Sequence, residues 1–282
     1  MAALGLSHTA LGILALTAYA LGAAGYAVNL LRPAPLAARA ATVLSAAGVL
    51  LNFAALYRRA SELHSVPYRD LLGSMALFGF FLGLLNLVLE ARHRDRSLGA
   101  FLIPTALVFL LASMLITPQS RPAGPELRGS VFALHVTLNM LAYAAFAVAC
   151  ALSALYLVVR RYLKSVRLLG MDGPASRLPT LGYLERANRT SLGVGVLALA
   201  AGLILGIFWA TRVWGAEHPR WALDPKVLVA LLTLVFYAVI TLRAHRGAAP
   251  VTTARLTVAG FLLVLVSYTA INLLFSRLHV FT

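Results

Sequence analysis

The feature that most constrains this chain is a series of long apolar runs. Eight can be marked, at approximately 4–31, 40–57, 71–91, 98–117, 130–159, 190–211, 227–242 and 256–276. About 20 apolar residues span the hydrocarbon core of a bilayer as a helix, where every backbone polar group must be paired within the protein. The runs do not alternate apolar with polar residues, as the strands of a membrane barrel do. They predict an all-α, polytopic integral membrane protein with about eight transmembrane helices.

The charged residues support this class and give an orientation. Only 12% of the residues are charged, against about 25% in soluble domains. Of the 24 Lys and Arg residues, fifteen lie in the connections that follow the odd-numbered runs and nine lie on the other side. The richer side is expected to be cytoplasmic, which puts both termini outside. Insertion and anionic lipid account for the basic excess, so the lipid bilayer is the expected partner and no nucleic acid is needed.

The first run is interpreted as a membrane helix. It has no Lys or Arg before Arg32, so it lacks the basic start of a secretory signal, and it is too long for a signal core. We expect a single transmembrane domain over 1–282. Its longest inward connection, about 160–189, is basic and is interrupted by Pro174 and Pro179.

The outward connection 213–226, VWGAEHPRWALDPK, has an unusual composition. It holds two tryptophans, two prolines, a histidine and four charges. Tryptophans at a membrane interface usually belong to the aromatic belt. A flat apolar ring with carboxylates at one edge also suits this mixture, because aromatic faces stack on the ring and Arg or Lys pairs with the carboxylates. The composition therefore favours a porphyrin platform.

Two of the seven histidines are the strongest candidates for metal ligands. His135 lies about five residues into the fifth run from its predicted outer end, and His279 lies just past the outer end of the eighth. Imidazoles at one depth on two helices can bind haem iron from opposite sides. The alternative is that each is an ordinary interfacial polar residue. The one cysteine, Cys150, provides neither a redox dithiol nor a covalent haem attachment motif, and we expect it to be a packing residue.

The chain resembles the cytochrome c assembly membrane proteins of the CcsA/HemX group, and more distantly CcmC. The resemblance covers roughly 60–282 and is carried by HSVPYRDLLGSMALFGF at 64–80, LHVTLNMLAYAAFAVACALSALYL at 134–157, LERANRTSLGVGVLALAAGLILGIFWA at 184–210, WGAEHPRWALDPK at 214–226 and the ending NLLFSRLHVF. The combination is specific, whereas no single stretch is. The two N-terminal helices are too generic to compare.

The resemblance implies a haem-handling function. It implies that the tryptophan-rich loop binds haem at the outer face, with His135 and His279 as axial iron ligands and Trp214, Trp221 and Asp224 in the loop. His64 and His245 are further cofactor-binding candidates. The haem would be b-type, held non-covalently and transiently, and the membrane would be the bacterial cytoplasmic (inner) membrane. With a membrane partner of the CcsB/ResB type, such proteins deliver haem to apocytochrome c. The resemblance leaves open whether the chain is itself an enzyme or a subunit of a haem–apocytochrome c ligation machine.

Two departures from the family pattern leave an alternative open. The family loop usually reads WGxxWxWDPK, and here the interval from Trp214 to Asp224 is longer and one tryptophan is missing. A family histidine at the cytoplasmic end of the seventh helix corresponds to Leu242, with His245 three residues later. His245 either substitutes for it or is a plain interfacial histidine. Both departures are compatible with a HemX-like regulator of tetrapyrrole synthesis that acts through 160–189 without ligation activity.

Two other function classes fit the sequence less well. A b-type electron-transfer protein usually buries two histidine pairs inside the bilayer, and the middle of these runs contains no histidine. An ion-coupled transporter usually has buried carboxylates, and no acidic residue lies in the middle of a run.

Overall fold

Eight α-helices make up nearly all of the described chain. The structure, a computed structural model, describes residues 7–63, 66, 71–115, 129–166, 179–214 and 224–275, and for 71–72, 165–166, 214 and 267–275 it describes the backbone only. The helices are α1 His8–Leu31, α2 Pro35–Leu63, α3 Leu71–His93, α4 Gly99–Leu115, α5 Ser130–Val166, α6 Leu181–Trp214, α7 Pro225–His245 and α8 Pro250–Phe275. Within the described ranges there is no strand. The predicted all-α architecture of eight helices is confirmed.

Six helices are long and apolar enough to cross a membrane: α1, α2, α5, α6 and α7 over most or all of their length, and α3 from Gly73 to His93. The apolar helices Gly99–Leu115 and Pro250–Val266 are shorter. The backbone of α8 continues beyond Val266 to Phe275. Length and apolarity together establish a polytopic membrane protein.

Two helices extend beyond the runs that predict them. α5 continues to Val166, and α6 begins at Leu181, so residues 160–166 and 181–189 of the expected connection are helical. Arg160, Arg161 and Lys164 are good helix formers, and no Gly or Pro interrupts α5 before its end. Thr180 caps α6, because its Oγ1 accepts a hydrogen bond from the Tyr183 backbone N–H at 3.3 Å.

The chain divides into two compact units. The first comprises Met1–Gly129 and Gly170–Tyr183 and contains α1 to α4. Its core centres on the ring of Tyr19, which is fully buried. A Cβ added at Gly48 would lie 2.6 Å from Tyr19 Cδ1, and one at Gly83 would lie 2.6 Å from the Tyr19 hydroxyl oxygen. The glycines of α2 and α3 therefore allow both helices to approach α1 closely, as small residues do between membrane helices.

The second unit comprises Ser130–Leu169 and Leu184–Thr282, with α5, most of α6, α7 and α8. Phe146 of α5 stacks on Tyr237 of α7 with ring centroids 3.9 Å apart and planes 11° apart. The Tyr237 hydroxyl donates to the Thr257 carbonyl of α8 at 3.3 Å. Buried residues from α5, α6 and α7 surround this pair: Ala142, Ala149, Leu192, Ala198, Leu199 and Ile240. This core holds the helices that carry His135 and its contacts.

Candidate functional site around His135

His135 lies near the start of α5, half-buried, with its ring against α6. Its Nδ1 is 2.7 Å from the carbonyl oxygen of Gly202. A carbonyl only accepts, so Nδ1 carries the proton and donates it. The lone pair is then on Nε2, the nitrogen that a neutral imidazole uses to bind a metal. A backbone carbonyl that fixes the tautomer and the ring orientation is a usual feature of metal-binding histidines.

Two glycines of α6 make room for this arrangement. A Cβ at Gly206 would lie 2.5 Å from Cε1 and 2.6 Å from Nδ1 of the His135 ring. A Cβ at Gly202 would lie 2.6 Å from Oδ1 of Asn139. Both positions lie on one face of α6, one helical turn apart. The glycine face of α6 therefore brings its backbone to the imidazole and to the amide of Asn139.

Asn139 is the other polar group at the ring. Its Nδ2 lies 3.2 Å from Nε2 and 3.3 Å from Nδ1 of His135. The amide nitrogen is therefore almost equidistant from the two ring nitrogens and lies over the face of the imidazole, so it leaves the in-plane lone pair of Nε2 open. The Oδ1 atom of Asn139 is buried and has no hydrogen-bond partner among the described residues.

Aromatic and cationic side chains lie on the same two helices, close in sequence to this site. Phe132 precedes His135 by one turn, and its ring lies 5.1 Å from the ring of Trp209, which follows Gly206 on α6. The Arg212 guanidinium lies 4.2 Å above the ring of Phe208. The predicted outer ends of α5 and α6 therefore carry aromatic rings and a positive charge.

The described donor set fits haem better than a metal ion held only by protein. Among the described residues no group of three or more His, Cys, Asp or Glu side chains comes together, so a site with several protein ligands is not formed there. A porphyrin brings its own equatorial nitrogens and requires only axial ligands. One oriented imidazole near aromatic rings meets that requirement on one side of the iron.

Asp224 begins α7. Its Oδ1 accepts from the Lys226 backbone N–H at 2.8 Å, and Pro225 occupies the first helical position. This is the usual arrangement of an N-cap. The Asp-Pro-Lys sequence therefore has a structural function in starting the helix.

His245 lies at the opposite end of α7, exposed, with its Nδ1 donating to the Thr241 carbonyl at 2.8 Å. On α7, His245 follows Tyr237, which stacks on Phe146, by eight residues. On α5, His135 precedes Phe146 by eleven residues. α5 and α7 run the same way, because the later residues Ser153 and Tyr156 line one cavity with Ala244. The structure therefore places His135 and His245 on opposite sides of the aromatic stack, in separate sites.

A family model described as cytochrome C assembly protein matches residues 68–279. The chain belongs to this cytochrome c assembly family. The match includes His135, Asp224 and His245 and reaches the C-terminal histidine His279. It begins four residues after His64.

Curated relatives carry the name cytochrome c biogenesis protein CcsA. The protein of Prochlorococcus marinus (strain NATL2A) is 29% identical over 76% of this chain and 75% of its own length. That of Pyropia yezoensis is 26% identical over 76% of this chain and 77% of its own length, and that of Synechocystis sp. is 26% identical over 97% and 96%. No solved structure matches the chain. The resemblance noted in the sequence is thereby confirmed.

Several predicted site residues of this assembly-family protein lie outside the described residues: His64, Trp221, His279 and the side chain of Trp214. Trp214, for which the structure describes the backbone only, is the last residue of α6. The pairing of His135 with His279 therefore stays a prediction from the sequence, and so does the contact of the loop 213–226 with haem.

The first unit contains polar features that the sequence did not reveal. Glu90, in the last turn of α3, is 7% exposed. Its two carboxylate oxygens accept from the Tyr26 and Thr42 hydroxyls, each at 2.6 Å, and from Arg96 Nε at 2.8 Å. This network ties α1, α2 and α3 together next to the connection to α4.

At the opposite end of the same four helices is a cavity of about 230 Å³ with His8, Asn52, Arg59 and Met114 in its lining. Its volume is below the range of about 300–1,000 Å³ that is usual for ligand pockets. Asn52 is fully buried there, and its Nδ2 donates to the Ala76 carbonyl at 3.1 Å.

Sequence reasoning missed the neighbours of His135. The sequence patterns give no function in the site to Trp209, Gly202, Gly206 or Asn139. A signal was nevertheless present, because Asn139 follows His135 by four residues and Gly206 follows Gly202 by four, which places each pair on one helical face. Which face meets which depends on the packing of α5 on α6, and this is a tertiary property.

Proposed function

We propose that this protein handles haem in cytochrome c biogenesis and presents it at the outer membrane face for attachment to apocytochrome c. The observation that supports this most is the hydrogen bond from His135 Nδ1 to the Gly202 carbonyl. It orients the imidazole and makes Nε2 the only ring nitrogen with a lone pair for iron. The process, cytochrome c biogenesis, is inferred from membership of the cytochrome c assembly family and from relatives named cytochrome c biogenesis protein CcsA.

Each part of the chain has a defined task in this proposal. His135 and His279 would hold the haem iron, and Trp214 and Trp221 would bind the ring. Asp224 fixes the end of the loop by capping α7. Bound haem supplies vinyl groups to which the two thiols of an acceptor CxxCH motif add. The chain's residues orient the ring, exclude water from one face and keep the iron ligated.

The chemistry requires partners. The only cysteine is Cys150, so the chain has no dithiol to keep acceptor thiols reduced, and that function belongs to another protein. A membrane partner of the CcsB/ResB type, the apocytochrome and haem complete the proposed assembly, in the bacterial cytoplasmic membrane. In this arrangement the charge distribution places the loop 213–226 and both termini on the outer side.

An absorption spectrum provides the direct test. The protein is purified from membranes in mild detergent, and oxidised and dithionite-reduced spectra are compared with those of His135→Ala, of the double variant His135→Ala/His279→Ala, and of His93→Ala, a histidine in the last turn of α3, as the control. We expect a Soret band with sharp reduced α and β bands in the wild type. It should be weakened in His135→Ala, partly restored by added imidazole, and lost in the double variant.

Two results would contradict the proposal. Equal haem content in the wild type and in His135→Ala would exclude this ligand. A wild-type protein without haem, even when haem is supplied to the cells, would exclude the function and favour a regulatory one.

A further inference from the structure

We propose that a single buried water molecule binds between α5 and α6, where it joins the hydroxyl of Ser153 to the side-chain carbonyl of Asn188. The site belongs to the second unit. Ser153 follows Phe146 by seven residues on α5, whereas His135 precedes Phe146 by eleven, so the site lies on the other side of the aromatic stack from His135. It is separate from the proposed haem site and does not depend on the proposed function.

A small cavity brings the two side chains together. Ser153 of α5 and Asn188 of α6 both line it, with Ala244 of α7 and Thr253 of α8. Its volume is about 10 Å³, which is close to the room that one water molecule requires and far below that of a pocket for an organic ligand. The size of the cavity therefore restricts its ligand to a water molecule or a small ion.

The charges of the lining favour a neutral ligand. Of the described residues that line the cavity, only Glu185 and Arg189 are charged. They form an ion pair with each other, four residues apart on α6, so the lining offers no net charge to balance a small ion. Water is the neutral ligand of this size.

Both side chains have a buried oxygen that lacks a protein partner. Ser153 is 1% exposed and Asn188 is 5% exposed, and neither Ser153 Oγ nor Asn188 Oδ1 has a hydrogen-bond partner among the described residues. Buried polar atoms are almost always paired, with protein or with ordered water. One water molecule satisfies both, because its O–H donates to the Asn188 carbonyl oxygen and its own oxygen accepts from the Ser153 hydroxyl.

Ser153 does not form the bond that helical serines commonly make. Such a serine donates to the carbonyl four residues earlier, as Ser191 of α6 does to the Ala187 carbonyl at 3.0 Å. Ser153 has no such bond to Ala149, so its hydroxyl is available to a ligand in the cavity.

The bound water would connect two helices that matter for the candidate site. A water bridge is nearly as favourable in enthalpy as a direct hydrogen bond. It would tie α5, which carries His135, to α6, which carries the Gly202 carbonyl that His135 contacts. The two helices would then be joined by polar contacts on both sides of the aromatic stack.

Hydroxyl-radical footprinting tests for the water directly. X-ray radiolysis of the full-length protein in detergent produces radicals from bound water as well as from bulk water, and peptide mass spectrometry gives a modification rate for each residue. Leu152 and Leu184, the cavity leucines, line the cavity and are 1% and 0% exposed. Leu192 and Leu199, the control leucines, are 0% exposed and do not line it. We expect the cavity leucines to be modified several-fold faster than the control leucines.

Three variants identify the source of the radicals. Ser153→Val removes the hydroxyl and adds a methyl group to the cavity, and Asn188→Leu removes the amide oxygen at similar volume. In both, the rates of the cavity leucines should fall to those of the control leucines. Ser191→Ala is the matched control, because the Ser191 hydroxyl is bonded within its own helix, and it should leave all four rates unchanged.

Two results of the footprinting would overturn the proposal. One is an equal rate for cavity and control leucines in the wild type. The other is a fast rate at the cavity leucines that persists in Ser153→Val and in Asn188→Leu, because the radicals would then come from bulk water.

Thermal unfolding in detergent provides an independent measurement. Ser153→Ala and Asn188→Leu should each lower Tm by about 2–4 °C, the effect of one lost hydrogen bond in a protein of similar size. The double variant should lose clearly less than the sum, because no buried polar group is then left unpaired. The two oxygens share no direct hydrogen bond, so this coupling is the expected sign of a bridging molecule. A loss equal to the sum of the two single effects would contradict the bridge.

Discussion

The Nδ1–H of His135 on α5 donates to the carbonyl oxygen of Gly202 on α6 across 2.7 Å. This bond joins a polar side chain to the backbone of a different helix, which is possible only because α6 has glycine at the contact. It also fixes which nitrogen of the ring is available to a metal. The chemistry of the candidate site therefore depends on how closely two helices pack.

Replacing Gly206 with alanine should disturb the site without unfolding the protein. The new Cβ would lie 2.5 Å from the Cε1 atom of His135, so the ring or the helix must shift. We expect reduced haem content per protein, measured by pyridine haemochrome, with helical circular dichroism unchanged. Gly193→Ala is the matched control, because a Cβ at Gly193 meets nothing within 4 Å. Equal haem content in the two variants would contradict the importance of this contact.

Asp224 substitutions separate capping from ligand binding. Asp224→Ala removes the acceptor for the Lys226 N–H and should lower the free energy of unfolding by about 1 kcal/mol. Asp224→Asn keeps a capping oxygen but not the charge, and should retain nearly full stability in thermal unfolding. If Asp224→Asn keeps stability and loses haem, the carboxylate contributes to the site beyond the cap. If it keeps both, the residue acts through the helix start.

Glu90 should be far more important for stability than Glu62. Glu90 is almost buried and accepts from Tyr26, Thr42 and Arg96, so Glu90→Ala should cost about 3 kcal/mol. Glu62 pairs at the surface with His8 and Arg58, and Glu62→Ala should cost less than about 1 kcal/mol. Thermal unfolding in detergent compares the two variants. Similar melting temperatures for the two variants would contradict the prediction that the Glu90 network stabilises the first unit more than the Glu62 ion pairs do.

Tyr237 should stabilise the protein mainly through its ring, which stacks on Phe146, and less through its hydroxyl. Tyr237→Phe removes one hydrogen bond to Thr257 and should cost about 1 kcal/mol. Tyr237→Ala also removes a ring stacked at 3.9 Å and should cost about 3–5 kcal/mol, the range for truncating a buried aromatic residue. A Tyr237→Phe variant as unstable as Tyr237→Ala would place the stabilisation in the hydroxyl instead.

Helix ends show where sequence patterns stop being sufficient. The apolar runs end where polar residues begin, and so they predict an end for α5 near 159. The helix continues to Val166 because Arg160, Arg161 and Lys164 favour helix and carry their charges toward water on long stems. Hydropathy predicts the membrane-spanning part of a helix, whereas the helical backbone of α5 continues beyond that part.

The sequence by itself determined the class of this protein: eight apolar helices, a basic bias between its two sides, and motifs of the cytochrome c assembly family. These properties follow from composition and spacing. A helix that spans lipid must be apolar over its whole length, so each span can be recognised from consecutive residues. Only the tertiary structure decided that His135 lies on the glycines of α6 and that Tyr26, Thr42 and Arg96 meet at Glu90. Such contacts join residues from 6 to 67 positions apart, and no local pattern encodes which helix faces which.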